Sequence, residues 1–154
     1  MDLRIHHRSD GEVAAELGPL LLRVVRGGST TDEAVDRLVE MLEGMLARWP
    51  AVGVLIIVEH GTPRPTPEIR RRVDAVLRRH GERVVIGYAF LGLGFWSFEA
   101  REFAAERAAA LGEPVFVEVD VEQLARRMSL ELVGIDPERI VRTVAQLQAD
   151  LVGG

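Results

Sequence analysis

Apolar residues in this chain follow two periods, one typical of strands and one typical of helices. The segment from Val52 to Val58 is apolar at every position except for one glycine, which indicates a central strand covered by helices on both faces. After a loop that contains two prolines, Pro63 and Pro65, residues 67–80 return to the helical period. The buried stripe of that helix consists of Ile69, Val73, Val76 and Leu77. The pattern therefore predicts a buried strand that leads through a short loop into an amphipathic helix.

The same two periods predict the remaining elements. Further strands are expected at 3–7, 12–16, 20–26, 83–91 and 115–119, and further helices at 31–49, 95–111, 121–133 and 137–152. The first three strands are joined by turns that contain Asp10-Gly11 and Gly18-Pro19, which indicates an antiparallel meander. Since strands and helices alternate after the meander, we expect one α/β domain over residues 1–154, with a mixed sheet and right-handed crossovers.

Capping residues mark the starts of several helices. Thr30 and Glu33 have the spacing of a capping box, in which each side chain satisfies the other residue's exposed amide. Thr66 is followed by Pro67, and Asp136 is followed by a proline in the same way. Both residues are therefore predicted to cap helices whose first position is proline.

Composition narrows the classes of function. The 154 residues include no cysteine, which excludes disulfides, thiolate metal sites and cysteine nucleophiles. The net charge of −5 argues against general affinity for nucleic acids, although residues 61–83 hold seven arginines against three acidic residues. No apolar run approaches the roughly 20 residues of a membrane-spanning helix. We therefore expect a cytoplasmic protein without a membrane span.

The order of elements carries a resemblance to a known family. With the loop GTPRPTPEIR placed directly after the strand VGVLIIVEH, nearly the whole chain resembles the STAS domains of anti-sigma-factor antagonists and their STAS-like relatives. Gly94-Phe95-Trp96 is also similar to the start of a later helix in divergent bacterial STAS-like sequences. The resemblance implies a non-enzymatic regulatory or protein-interaction module. Thr66 lies at the place of the family's phospho-acceptor, but the Asp-Ser-Ser-Gly-like motif is absent.

The loop and helix after the central strand form the candidate binding surface for another protein. A basic helix on an acidic body can orient a partner that has an acidic surface. The residues expected to contact this partner are His60, Arg64, Arg71, Arg72, Phe95 and Trp96. Two simpler interpretations stay open, because exposed helix faces are commonly charged and a Thr-Pro step commonly begins a helix.

Two further functions belong to other classes. The chain is alternatively a small-molecule or lipid-binding protein, with an apolar pocket near the Phe95 helix. Such a pocket would be lined by Tyr88, Phe90, Phe95 and Trp96, unless these aromatic residues simply pack in the core. The apolar stripe of helix 137–152 packs either on its own domain or on a second copy, which leaves a homo-oligomer as an alternative.

Motifs for catalysis or cofactor binding are missing from the sequence. No serine lies in a Gly-x-Ser-x-Gly elbow, and Gly92-Leu93-Gly94 is followed by neither the third glycine of a dinucleotide site nor a Gly-Lys-Ser/Thr sequence. His6 and His7 are expected to point to opposite faces of a strand, which disfavours binding of one metal ion by both. We therefore expect no enzyme activity, no metal and no cofactor.

Overall fold

The computed structural model describes residues 2–27, 30–59, 61–91, 96–112, 115–132 and 134–153, with 96–101 and 152–153 described by their backbone alone. The strands in this part of the chain are β1 Leu3–Arg8, β2 Glu12–Leu17, β3 Leu20–Val25, β4 Val52–Val58, β5 Val84–Phe90 and β6 Val115–Glu118. The α-helices are α1 Asp32–Leu46, α2 Pro67–His80, α3 Trp96–Leu111, α4 Val121–Glu131 and α5 Pro137–Gly153, and a short 3-10 helix covers Gly81–Arg83.

All six strands form one mixed sheet whose spatial order follows the chain from β1 to β6. The pairs β1–β2 and β2–β3 are antiparallel, whereas β3–β4, β4–β5 and β5–β6 are parallel. The predicted α/β class, the meander at one side of the sheet and the order of elements are therefore confirmed. Because β3, β4 and β5 run in the same direction, their carboxyl ends at Val25, Val58 and Phe90 lie at one edge, called here the carboxyl edge.

Helices cover the sheet in two layers. The core on one face combines α1, α2 and α3 with residues such as Val54 and Ile56 of β4. The core on the other face combines α4 and α5 with Leu55 and Ile57 of the same strand. β4 is thus buried from both sides, as its uninterrupted apolar sequence predicted.

The apolar stripe of α5 packs on its own domain. Ile140, Val144, Leu147 and Leu151 are buried in the same core as Leu22 of β3. Of the two arrangements left open by the sequence, the structure has the intramolecular one. A salt bridge from Arg8 Nη2 to Asp150 Oδ2, 3.0 Å long, also joins β1 to this helix.

The start and the end of α1 differ from the sequence prediction. The capping residue is Thr31, whose Oγ1 accepts a hydrogen bond of 3.1 Å from the Ala34 amide, so the capping box predicted for Thr30 and Glu33 is wrong by one residue. The helix ends at Leu46 instead of Trp49. The amide of Trp49 still donates to Met45 O, but the chain has already turned towards β4.

Two glycines allow α4 to lie close to the sheet. A Cβ atom added at Gly87 of β5 would lie 2.5 Å from Leu124 Cδ1, and one added at Gly53 of β4 would lie 2.8 Å from Met128 Cε. Leu124 and Met128 are fully buried. A larger residue at either position would therefore require these buried side chains to move. None of the helices in the described ranges combines the length and apolar character needed to cross a bilayer.

Candidate functional site

A pocket opens at the carboxyl edge on the face covered by α1, α2 and α3. We call it the edge pocket; its cavity volume is about 70 Å³. Most of its wall is apolar and comes from β3, β4, β5, α2 and α3, chiefly Val25, Ile56, Val58, Val73, Phe90 and Phe103. The polar residues of the wall are Arg23, Thr30, Thr62, Arg70, Tyr88 and Arg107. Tyr88 and Phe90 thus lie where the sequence predicted a pocket.

The loop after β4 is held against the end of β3 by Thr62. Its hydroxyl donates to Val25 O over 3.2 Å and accepts a hydrogen bond of 3.0 Å from the Gly27 amide. The Thr62 amide donates to Glu59 O at 3.2 Å. Because Thr62 is buried, these bonds fix the loop where it passes the edge pocket, and Pro63 and Pro65 then contribute to the pocket wall.

Glu59 at the end of β4 has a structural role. Arg26 donates to it from two nitrogens, from Nε to Oε2 at 2.5 Å and from Nη2 to Oε1 at 2.9 Å. Gln148 of α5 donates to the same Oε1 over 3.2 Å. The hydrogen bonds with Glu59 raise the pKa of Arg26 above its ordinary value. Glu59 therefore ties the ends of two strands to α5, and its oxygens are engaged in that contact.

Arg107 of α3 lies in an aromatic environment at the edge pocket. It is 5% exposed, and its Nη1 donates to Tyr88 Oη at 2.5 Å. Its guanidinium carbon lies 5.0 Å from the centre of the Phe103 ring, within range of a cation–π contact. Arg107 Nε is 2.9 Å from Asp74 Oδ1, an ion pair whose atoms are not aligned as a hydrogen bond. Arg107 therefore joins α2, α3 and β5.

Arg23 is the second buried arginine of the wall, and it interrupts the apolar sequence of β3. It is 5% exposed, and its Nη2 donates to Glu12 Oε2 at 2.9 Å and to Thr30 Oγ1 at 3.3 Å. Arg23 Nε and Glu12 Oε1 are buried and have no hydrogen-bond partner among the described residues. Glu12 is therefore bonded to Arg23 through only one of its two carboxylate oxygens.

Sequence reasoning did not select Arg23 or Arg107. The available signal was a single arginine inside LLLRVV and another in α3, placed one turn after Phe103. A lone arginine in a strand or helix is usually solvent-exposed. Only the burial of both side chains identifies them as part of a site.

The residues predicted to bind a partner are distributed over both sides of α2. Arg72 contacts α1, where Asp32 Oδ1 and Asp36 Oδ1 lie 2.5 and 2.6 Å from its guanidinium nitrogens. Arg71 is exposed and lines a groove between α2 and α3. Arg64 is half-buried in the loop before α2. His60, Phe95 and the side chain of Trp96 lie outside the described residues.

Thr66, the predicted phospho-acceptor, caps α2 as expected. Its Oγ1 accepts a hydrogen bond of 3.3 Å from the Ile69 amide, and Pro67 takes the first position of the helix. The Thr66 residue is exposed at the carboxyl edge. These contacts establish Thr66 as a helix cap, and its modification stays a prediction.

His6 and His7 lie beside a groove at the meander side of the sheet, on the face that α1 covers. A bulge between Ile5 and His7 interrupts the alternation of β1, and both histidines line the groove between β1 and α1. His6 Nε2 is 2.8 Å from Glu16 Oε2, and Arg48 donates to Glu16 Oε1. Within the described ranges, no three histidine or acidic side chains are grouped as metal ligands.

The contacts of Glu16 make its contribution to stability depend on pH. Burial alone raises the pKa of this carboxyl, but hydrogen bonds from Arg48 and His6 outweigh burial and leave the pKa below its ordinary value. A carboxyl with a lowered pKa stabilises the fold above its unfolded pKa of about 4.3, and this contribution is lost as the pH falls through the folded pKa.

We therefore expect Glu16→Gln to lower the free energy of unfolding by about 1–3 kcal/mol at neutral pH, and by less at about pH 3.5. Urea denaturation of wild type and variant at both pH values measures this difference. The control is Glu40→Gln, an exposed residue of the same groove, which should change stability by less than about 0.5 kcal/mol. An equal loss at both pH values would contradict the assignment to the Glu16 charge.

The chain matches no protein-family model, no curated protein and no solved structure. The resemblance to STAS domains accordingly stays a prediction.

Proposed function

We propose that this protein is a non-enzymatic α/β module that binds a small, mainly apolar molecule in the edge pocket. The observation that carries the proposal is the position and composition of that pocket. It lies at the carboxyl ends of neighbouring parallel strands, where open α/β sheets commonly bind ligands. Mostly apolar walls with a few buried polar groups are typical of small-molecule sites.

The size of the edge pocket limits the ligand. At about 70 Å³, the cavity has room for only a small ligand. Two polar side chains on the wall are held in position to orient a ligand. Tyr88 is hydrogen-bonded to Arg107, and Thr62 is hydrogen-bonded to the backbone. Binding without chemical conversion is the activity that these groups support.

Xenon tests whether the edge pocket admits an apolar guest, since it binds in small dry cavities. We expect xenon to shift the amide resonances of residues around Val58 and Val73 in two-dimensional NMR spectra. Val58→Phe, which places a larger side chain on the pocket wall, should abolish these shifts.

The matched control is Val119→Phe, the same change at an exposed position outside the pocket wall, which should leave the xenon shifts intact. Xenon shifts that are absent from the wild type, or that persist unchanged in a folded Val58→Phe variant, would overturn the proposed function.

A second candidate function is favoured by the exposed position of Arg71. We propose that Arg71, with Arg64 and Thr66 of the preceding loop, binds an acidic surface of another protein, in a regulatory role like that of STAS-like modules. The Arg71 guanidinium makes no ion pair within the described part of the chain. Pro63 and Pro65 line the edge pocket on either side of Arg64, so one loop would contact both ligand and partner.

Charge reversal on α2 tests whether Arg71 binds a partner or only contributes to a solvated helix face. We expect Arg71→Glu to reduce co-purification of a specific partner at least about tenfold, because an attractive charge becomes repulsive. Arg72 is unsuitable for this test, since its loss also breaks the ion pairs with α1. Arg79→Glu, an equal charge change at another exposed position of α2, is the control. Equal loss of the partner with both variants would argue against a defined surface.

A further inference from the structure

Every charged residue that the described part of the chain contributes to the edge pocket wall is an arginine. These residues are Arg23, Arg70 and Arg107. Each arginine pairs with an acidic residue: Arg23 with Glu12, Arg70 with Glu106 and Arg107 with Asp74. None of these acidic residues lines the pocket. Among the described residues, the wall therefore contributes cations and no anions, although each cation is paired with an acid outside the wall.

Burial strengthens the electrostatic interaction that two of these arginines can make with a ligand. Arg23 and Arg107 are each 5% exposed, so little water screens their charge. A charge–charge interaction is several times stronger at such a site than in bulk water. Arg70 is less buried, and its Nη1 is bonded to Glu106 at the surface. Arg23 and Arg107 are therefore the groups with which a buried anion would interact most strongly.

The hydrogen bonds of Arg23 leave donor capacity unused. A guanidinium has five N–H groups, and Arg23 uses Nη2 for Glu12 and Thr30. Its Nη1 makes no hydrogen bond to the described residues, whereas the unpartnered Nε is fully buried and out of a ligand's reach. Nη1 is therefore the donor that an oxygen atom of a ligand would accept from.

Resting on the proposed function, we infer that the ligand of the edge pocket is a small monocarboxylate with a compact apolar body. Its carboxylate accepts hydrogen bonds from the buried arginines, which suit the planar geometry of that group. Its apolar body contacts Val58, Val73 and Phe90. Inorganic phosphate lacks such a body, and a neutral amide of the same shape lacks the charge. Both compounds therefore serve as discriminating probes.

Isovalerate, isovaleramide and inorganic phosphate test this inference on the intact wild-type protein. NMR titration at neutral pH gives a dissociation constant for each. We expect isovalerate to bind at least about tenfold more tightly than isovaleramide, because a charge-assisted hydrogen bond is roughly twice as strong as a neutral one. Phosphate should bind more weakly than isovalerate, since it leaves the apolar walls uncovered.

The paired variant Glu12→Gln/Arg23→Gln removes both charges and keeps two groups that can hydrogen-bond to each other. We expect it to reduce the preference for isovalerate over isovaleramide to about a quarter or less of the wild-type ratio. Arg79→Gln removes a charge from an exposed position of α2 outside the pocket wall, and it should keep the full preference. An unchanged preference in the paired variant would overturn the role of Arg23.

The possible failures of the two proposals are distinct. If xenon binds but isovalerate binds no better than isovaleramide, the carboxylate inference is wrong while the pocket function stands. If phosphate binds as tightly as isovalerate, the apolar body plays no part and the inference is also wrong. If neither xenon nor any of the three probes binds, the proposed function fails together with the inference. The comparison of probes on wild type needs no variant to fold.

Discussion

Replacing Arg23 with methionine is expected to lower the free energy of unfolding by about 3–5 kcal/mol, because it leaves Glu12 as an unpaired buried charge. Glu12 is 8% exposed, and its Oε2 accepts the hydrogen bond from Arg23 Nη2. Water cannot readily solvate a carboxylate at this depth in the sheet. Urea denaturation at neutral pH, followed by circular dichroism, measures the loss.

The double variant Glu12→Leu/Arg23→Met separates the effect of charge from the effect of packing. Removing both partners of a buried ion pair is often neutral or stabilising, so we expect the double variant to regain most of the stability lost in Arg23→Met. If both variants are equally unstable, the loss comes from the packing of the arginine side chain. In that case the charge of Glu12 would have no part in it.

Leu147→Ala is expected to lower the free energy of unfolding by about 2–5 kcal/mol, since it leaves a cavity in the core between α5 and the sheet. Leu147 is 0% exposed and belongs to the same core as Leu22 and Leu55. Gln146→Ala, a change at the exposed neighbouring position, should alter stability by less than about 0.5 kcal/mol. Urea denaturation compares the two variants.

Protein concentration supplies an independent check on α5. Because its apolar stripe packs on its own domain, the unfolding midpoint should not depend on concentration. A stripe that packed on a second copy would give a midpoint that rises with concentration, and Leu147→Ala would then change the oligomeric state. That outcome would contradict the packing described for α5.

Most of the fold followed from local sequence patterns. The bounds of β4 are those predicted, because a strand buried on both faces is apolar throughout and ends where polar residues begin. Thr66 and Pro67 marked the start of α2 correctly, since a hydroxyl cap accepts a hydrogen bond from a free amide of the helix end and proline at the first position has no amide hydrogen. Prediction of α1 was less accurate because two adjacent threonines both suit a cap. Arg23, seven residues before Thr30, engages Thr30 and leaves Thr31 for the helix.

The candidate site was predictable only in part. Tyr88 and Phe90, two of the four aromatic residues expected around a pocket near the Phe95 helix, belong to the wall of the edge pocket. The partners of Arg72 were not predictable, since Asp32 and Asp36 belong to a helix whose position beside α2 depends on the whole sheet. Similarly, a bulge in β1 brings both His6 and His7 to one groove, which strict strand alternation does not anticipate.

By itself, the sequence determined which segments are strands and helices, their order and the faces that they bury. These properties depend on residue type and on the spacing of near neighbours, which the chain displays directly. Tertiary structure alone decided that Arg107 of α3 meets Tyr88 of β5 beside the pocket. Such a contact depends on the distance and orientation at which α3 packs on the sheet. The periodicity of each element does not encode them.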